Sequence, residues 1–195
     1  MLVTKEPLIQ TMACVNWPDT YPDRPEVEFD VRCTGEELLL AFRVREEFTR
    51  AVCAADRENI WEDSCVEFFF APDADGLYYN FECSCIGKLL LCCGRGRENR
   101  VSLPEEAYSA VRRRGSLGDR PFGIRQIPEW ELELAIPARV LVFHDLRSFS
   151  GMHARGNFYK CGNMLPRRHY LSWAPVGTPA PDFHRPEFFD SIDFE

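Results

Sequence analysis

Carboxylates beside a tryptophan are the groups best placed to do chemistry in this chain. They crowd one stretch, Ile60-Trp61-Glu62-Asp63-Ser64-Cys65-Val66-Glu67-Phe68-Phe69-Phe70. Glu67 stands inside an otherwise apolar run, where a charge is costly unless its face is wet or a partner meets it. An indole and a carboxylate at one end of a strand suit a ligand site; they suit equally a core anchor and a solvated turn. Other constellations are weaker. Glu67, Glu82, Glu131 and Glu133 offer carboxylates for glycoside hydrolysis, but nothing in the sequence sets two of them at a catalytic separation. Cys161 and His169 are near in sequence, yet spacing alone does not make a nucleophile–base pair. Cys83 and Cys85 share a face by alternation but lack the gap of a structural zinc knuckle, and adjacent Cys92 and Cys93 point to opposite faces. No catalytic residue is assigned.

The elements that would position these groups read as strands. Val27 to Cys33 alternates with apolar residues at odd positions; Thr34-Gly35-Glu36-Glu37 turns the chain, and Leu38 to Val44 follows as the second arm of a hairpin. The strand after Trp61 stops at Ala71-Pro72-Asp73-Ala74-Asp75-Gly76, a strong turn signal. Leu77 to Ile86, Lys88 to Cys93 and Trp130 to Ile136 continue the pattern, with Trp130 on the apolar face and Glu131 and Glu133 on the solvent face. Val140 to Phe143 reads as a short buried piece, and Gly156–Cys161 and His169–Ala174 as two late strands. Arg112-Arg113-Arg114 reads as a solvated edge. About eight or nine short strands without helix alternation predict an all-β fold, a two-sheet antiparallel β-sandwich of which a jelly roll is one form. Residues 1–195 form one such domain, with an irregular lead-in and a Pro-rich tail whose last residues return to the sheet.

Composition sets the outer limits. The chain has 195 residues, 45% hydrophobic and 13% aromatic, enough for a real core. Its 23 basic against 31 acidic residues give a formal charge of -8, which argues against nucleic acid or an anionic membrane as partner. No long uncharged apolar segment is present to span a membrane, and Met1 to Pro7 lacks the sections of a signal peptide. Nine cysteines, an odd number, then predict reduced and mostly buried thiols in a cytoplasmic protein.

Trp61 to Phe69, Tyr78 to Gly87 and Trp130 to Pro137 also carry a resemblance to the family 9 carbohydrate-binding modules. Arg155 to Gly162, His169 to Pro175 and the tail Pro181 to Phe189 resemble a standalone branch of that group. The resemblance implies a sandwich in which two tryptophans clamp a terminal sugar, polar side chains hold its hydroxyls and calcium supports the fold. Trp61 occupies the place of the first tryptophan and Glu67 that of the carboxylate after it. Trp173 is the candidate for the second, with Asn157 as a polar contact and Arg155 and Lys160 close by. No calcium ligand is assigned; Asp19, Asp63 and Asp73 are acidic loop residues. The expectation is a non-catalytic module for a mono- or oligosaccharide. A small-molecule or protein-interaction sandwich and a carbohydrate hydrolase are the alternatives.

Overall fold

In the computed structural model, which describes residues 1–195, alternation becomes two packed sheets. The strands are β1 (Leu2–Val3), β2 (Leu8–Thr11), β3 (Cys14–Val15), β4 (Glu26–Cys33), β5 (Glu37–Arg45), β6 (Thr49–Ala51), β7 (Cys65–Ala71), β8 (Tyr78–Ser84), β9 (Leu89–Gly94), β10 (Val101–Ser102), β11 (Arg112–Gly115), β12 (Phe122–Arg125), β13 (Glu129–Pro137), β14 (His153–Cys161), β15 (Tyr170–Ser172) and β16 (Asp190–Phe194). One short helix, α1 (Glu105–Ala110), lies between β10 and β11. The larger sheet runs β1-β16-β14-β7-β8-β9-β10, with β15 and β3 continuing from β14; the smaller runs β11-β13-β5-β4-β2. Strands β6 and β12 pair apart from both. All pairings are antiparallel except β1 with β16. No helix is long and apolar enough to cross a membrane.

The predicted antiparallel sandwich is the observed one. Val27, Phe29 and Val31 on β4, Leu38, Leu40, Phe42 and Val44 on β5, and Trp130, Leu132, Leu134 and Ile136 on β13 all point inward and are buried. They meet Val66, Phe68, Phe70, Tyr79, Phe81 and Phe158 of the larger sheet. Phe29 of one sheet stacks on Phe158 of the other at 4.3 Å between ring centroids. Burial of such rings supplies the main favourable free energy of the sandwich. Gly156 lets β14 approach β7, since a Cβ there would lie 2.5 Å from the Phe69 carbonyl oxygen. Gly76, at φ +87°, closes the β7–β8 hairpin in a backbone region that side chains disfavour.

One ion pair enters this interior. Lys160 points between the sheets, with its Nζ 2.8 Å from Glu46 Oε2 and 2.8 Å from His169 Nε2. Trp130 donates its indole N–H to the other Glu46 oxygen at 2.7 Å. Lys160, read as lying beside the sugar contacts, is instead fully buried between the sheets. His169 is taken up by Lys160, and Cys161 leaves the opposite face of β14, so the two form no nucleophile–base pair, in keeping with a spacing that did not establish one. The Val140–Phe143 expectation holds for Val140 and Leu141, which are buried; Val142 and Phe143 are exposed because the chain turns there.

Candidate functional site

The outward face of the larger sheet is not wet. Antiparallel register places side chains of four strands in rows across it: Tyr159, Glu67, Glu82 and Leu90 in one, Asn157, Phe69, Asn80 and Cys92 in the next. Residues of the tail and the lead-in close over these rows. Phe183 stacks on Tyr159 at 4.1 Å, with Tyr170 edge-on and Trp17 tilted beside it. Trp17, Phe69, Tyr78, Tyr159, Phe183 and Phe189 thus form part of a second apolar cluster outside the sandwich.

A cavity of about 340 Å³ remains between the sheet and this cover. Its floor is Glu67, Glu82, Asn80, Leu90 and Cys92; its walls are Trp61, the segment Pro181–His184, Asn163 with Tyr170, and the pair Arg97 and Arg100. Trp61 sits on the one-turn helix Ile60–Glu62, just before β7, and its ring pairs with no other aromatic ring. The size falls at the small end of the range for ligand pockets, roughly 300–1,000 Å³.

Glu67 and Glu82 lie directly opposite one another in the β7–β8 ladder, and each is only 4% exposed. Burial pushes both carboxyls well above the ordinary carboxylate range. The Cys161 thiol adds to the rise at Glu67, and Glu67 itself adds to the rise at Glu82. Two facing acids in a dry site cannot both ionise cheaply, so the pair holds a proton above the usual range. Glu82 Oε1 accepts a 2.8 Å hydrogen bond from Asn80, which in turn accepts from Arg100 at 2.8 Å. Glu82 Oε2 is buried without a partner, and so is Asn163 Oδ1 on the wall. Buried oxygens of this kind are rare in folded proteins and call for a hydrogen-bond donor from solvent or a ligand. His184 accepts or donates through Nδ1 to the Tyr78 hydroxyl at 3.0 Å. Burial, then Arg100 and Arg97, push its pKa down to about 3, which makes it a neutral wall of the cavity.

Of the residues expected to bind a ligand, Trp61 and Glu67 face this cavity. Trp173, Asn157 and Arg155 do not line it, so Trp173 does not stand across it from Trp61. Trp173 turns to the sandwich interior, edge-on to Phe158 at 6.1 Å, and donates its indole N–H to Gln10. Its backbone N–H bonds the Phe158 carbonyl, which fixes that direction. Asn157 is fully buried and spends its amide on the Ala174 carbonyl and N–H and the Phe158 N–H. Arg155 binds the carbonyls of Glu187 and Phe189 and ties down the tail. Asn80, Asn163, Tyr170, Asp182, His184, Arg97 and Arg100 also line it and were not singled out in the sequence, while Glu82 entered only among the scattered carboxylates. Asn80 lies in the alternating run Leu77 to Ile86, and Tyr170 and the tail residues lie inside stretches that carry the family resemblance; Arg97, Arg100 and Asn163 had no signal.

Calcium prefers six to eight oxygen donors. Asp63 is saturated by Arg50 and by the N–H groups of Val52 and Cys53, and Asp73 faces an imidazole; neither fits an all-oxygen cage. No step or support is assigned to calcium here.

The profile described as Carbohydrate-binding family 9 matches residues 1–194. The chain belongs to carbohydrate-binding family 9. A protein of Bacteroides uniformis ATCC 8492, whose crystal structure is described as that of a candidate carbohydrate-binding protein, is 44% identical to this family 9 chain. The two superpose with a TM-score of 0.93 over 97% of this chain and 87% of that one. A family 9 module of Caldicellulosiruptor kristjanssonii in complex with glucose shares the fold at a TM-score of 0.61 and 10% identity, over 100% of this chain and 95% of its own. A family 9 module of the same organism in complex with cellotriose shares it at 0.56 and 11%, over 100% and 93%. No curated protein matches the chain.

Proposed function

We propose that this family 9 protein is a non-catalytic module that holds the terminal unit of a carbohydrate in the cavity between Trp61 and the Pro181–His184 wall. The observation that carries the reading is a pair of buried oxygens without partners, Glu82 Oε2 and Asn163 Oδ1, on the wall of one cavity beside an indole with no aromatic partner. A sugar answers both features. Its C–H face covers an aromatic ring, and its hydroxyls donate to the orphaned oxygens. A protonated carboxyl in the Glu67–Glu82 pair also donates a hydrogen bond to a hydroxyl oxygen, so the floor offers both roles. Arg100 and Asn80 hold Glu82 in place. Glucose and cellotriose bound to the Caldicellulosiruptor modules support a sugar as the class of ligand.

The direct experiment is a glycan-array screen that includes free reducing sugars, followed by calorimetry on any ligand found. Binding that is lost in Trp61→Ala, with the melting temperature retained, supports the reading. Absence of any glycan ligand, or full affinity in Trp61→Ala, overturns it. The facing carboxylates favour one further reading, hydrolysis, because paired acids are the machinery of glycosidases. Release of product from aryl glycosides by the wild type, abolished in Glu67→Gln, would establish that reading instead.

A further inference from the structure

Away from the cavity, at the tip of the β7–β8 hairpin, three metal-ligating side chains converge. Asp73 and Asp75 lie on the turn, and His144 reaches them from the segment between β13 and β14. The His144 side chain is only 7% exposed, and its Nε2 is buried with no hydrogen-bond partner. That nitrogen lies 3.7 Å from Asp73 Oδ2 and 3.6 Å from Asp75 Oδ1. These separations exceed the ~2.7–3.2 Å of an N–H···O bond. They lie close to the roughly 3.3–3.5 Å between donors that share one tetrahedral ion at about 2.0–2.1 Å.

Backbone groups hold the turn in place. The Asp75 N–H donates to Asp73 Oδ1 at 2.8 Å, away from the Oδ2 that faces His144, and the Leu77 N–H donates to Asp75 Oδ1 at 2.7 Å, an oxygen with a second lone pair, so the turn presents its carboxylates in a fixed direction. Arg95 binds the Asp75 backbone carbonyl and leaves the carboxylates free. His144 Nδ1 is 2.8 Å from the Tyr79 hydroxyl, which also accepts the Phe143 N–H at 3.0 Å. A metal-binding histidine commonly donates its second ring N–H to such an oxygen, which fixes the tautomer with a bare Nε2.

We propose that Asp73, Asp75 and His144 form a site for a divalent cation of the zinc class, completed by water. The donor set decides the class. One imidazole nitrogen and two carboxylates suit zinc, cobalt or manganese, whereas calcium takes oxygen donors only and in larger number. The half-exposed aspartates, 56% and 40% for the side chains of Asp73 and Asp75, leave a path for the ion and room for its water. An ion here joins the hairpin that carries Glu67 and Glu82 to the chain that leaves β13.

The test is cobalt binding to chelator-stripped protein, read by visible absorption and calorimetry. The expected result is one cobalt per chain, displaced by zinc but not by excess calcium, with ligand-field bands and no intense thiolate charge-transfer band. Asp73→Asn with Asp75→Asn is expected to weaken cobalt binding at least ~10-fold, the lower limit seen even for outer-shell groups. His144→Gln is expected to do the same; should it fail to fold, the aspartate variant on the exposed turn carries the test alone. Cobalt that does not bind, a thiolate spectrum, displacement by calcium, or unchanged affinity in the aspartate variant would each overturn the site.

Discussion

The outer faces of the two sheets handle the same residue in opposite ways. On the smaller sheet Glu26, Arg45 and Glu129 lie in one row, and Glu28, Arg43 and Glu131 in the next, so every glutamate meets an arginine. Arg43 is 3.0 Å from Glu131, and Arg45 is 3.0 Å from Glu129, all in solvent. On the larger sheet Glu67 meets Glu82, acid against acid, beneath a cover of aromatic residues. Alternating strands produce both faces. What differs is the cross-strand neighbour and the layer above. A paired, solvated carboxylate keeps a sheet face soluble; an unpaired, buried one is a cost the fold sustains where a ligand is to be held.

The largest effect expected from breaking this contrast is at Phe69, which points outward yet packs against Tyr78, Tyr159, His184 and Phe189. Phe69→Ala is expected to cost about 3–5 kcal/mol in denaturant unfolding, as for a residue of the sandwich interior. A loss under about 1 kcal/mol would mean that the cover is loose and the outer face is an ordinary surface. Next comes Glu82. Glu82→Leu leaves the Asn80 amide without its acceptor and removes the oxygen that faces the ligand, so affinity for a verified sugar is expected to fall by about 1–3 kcal/mol in calorimetry. Glu82→Gln keeps the acceptor for Asn80 and is expected to lose less.

Stability against pH sharpens the comparison further. The folded pKa of Glu82 is raised, so its contribution is complete below about pH 4.3 and is lost as pH rises toward the folded value. Glu82→Gln therefore melts higher than the wild type at neutral pH, and the gap closes in acid; a gap that is constant with pH would rule out the burial argument. His184 behaves in the opposite sense. Its folded pKa of about 3 means a contribution present above about pH 6.5 and lost as pH falls through that window, which thermal melts of His184→Gln are expected to flatten. Smallest is Arg43→Ala on the other sheet, whose ion pairs stand in solvent. Its melting curve is expected to overlay that of the wild type within replicate scatter.

The sandwich was legible because its strands bury one face and repeat with period two. Val27 to Cys33 and Trp130 to Ile136 declare which residues point inward, and Trp130 is core as alternation says. Trp61 and Glu67 stood out because a polar turn and a lone carboxylate interrupt an apolar run, and both line the cavity. Trp173 misled because a strand end looks alike whichever side its ring takes; a single bond from its N–H to Phe158 selects the interior. Asn157 and Glu82 show the other limit. Both are polar positions on one outward face, yet one is consumed by backbone groups of a distant loop and the other keeps one oxygen without a partner. That choice rests on strand register and on where the tail lies, and neither is encoded within a few residues of the side chain.

The cover over the larger sheet has a consequence for the order in which the molecule is made. The floor of the cavity is complete once β7, β8 and β9 have paired, but its far wall, Pro181 to His184, leaves the ribosome long afterwards. Until then Phe69, Tyr78 and Tyr159 present an aromatic surface to solvent, a place where a chaperone or a neighbouring chain can settle. Trp17, whose indole N–H binds the Thr178 carbonyl, waits at the other end of the chain for the same segment. The cavity therefore closes only after Pro181 to His184 has been made, and it opens again whenever that segment comes loose.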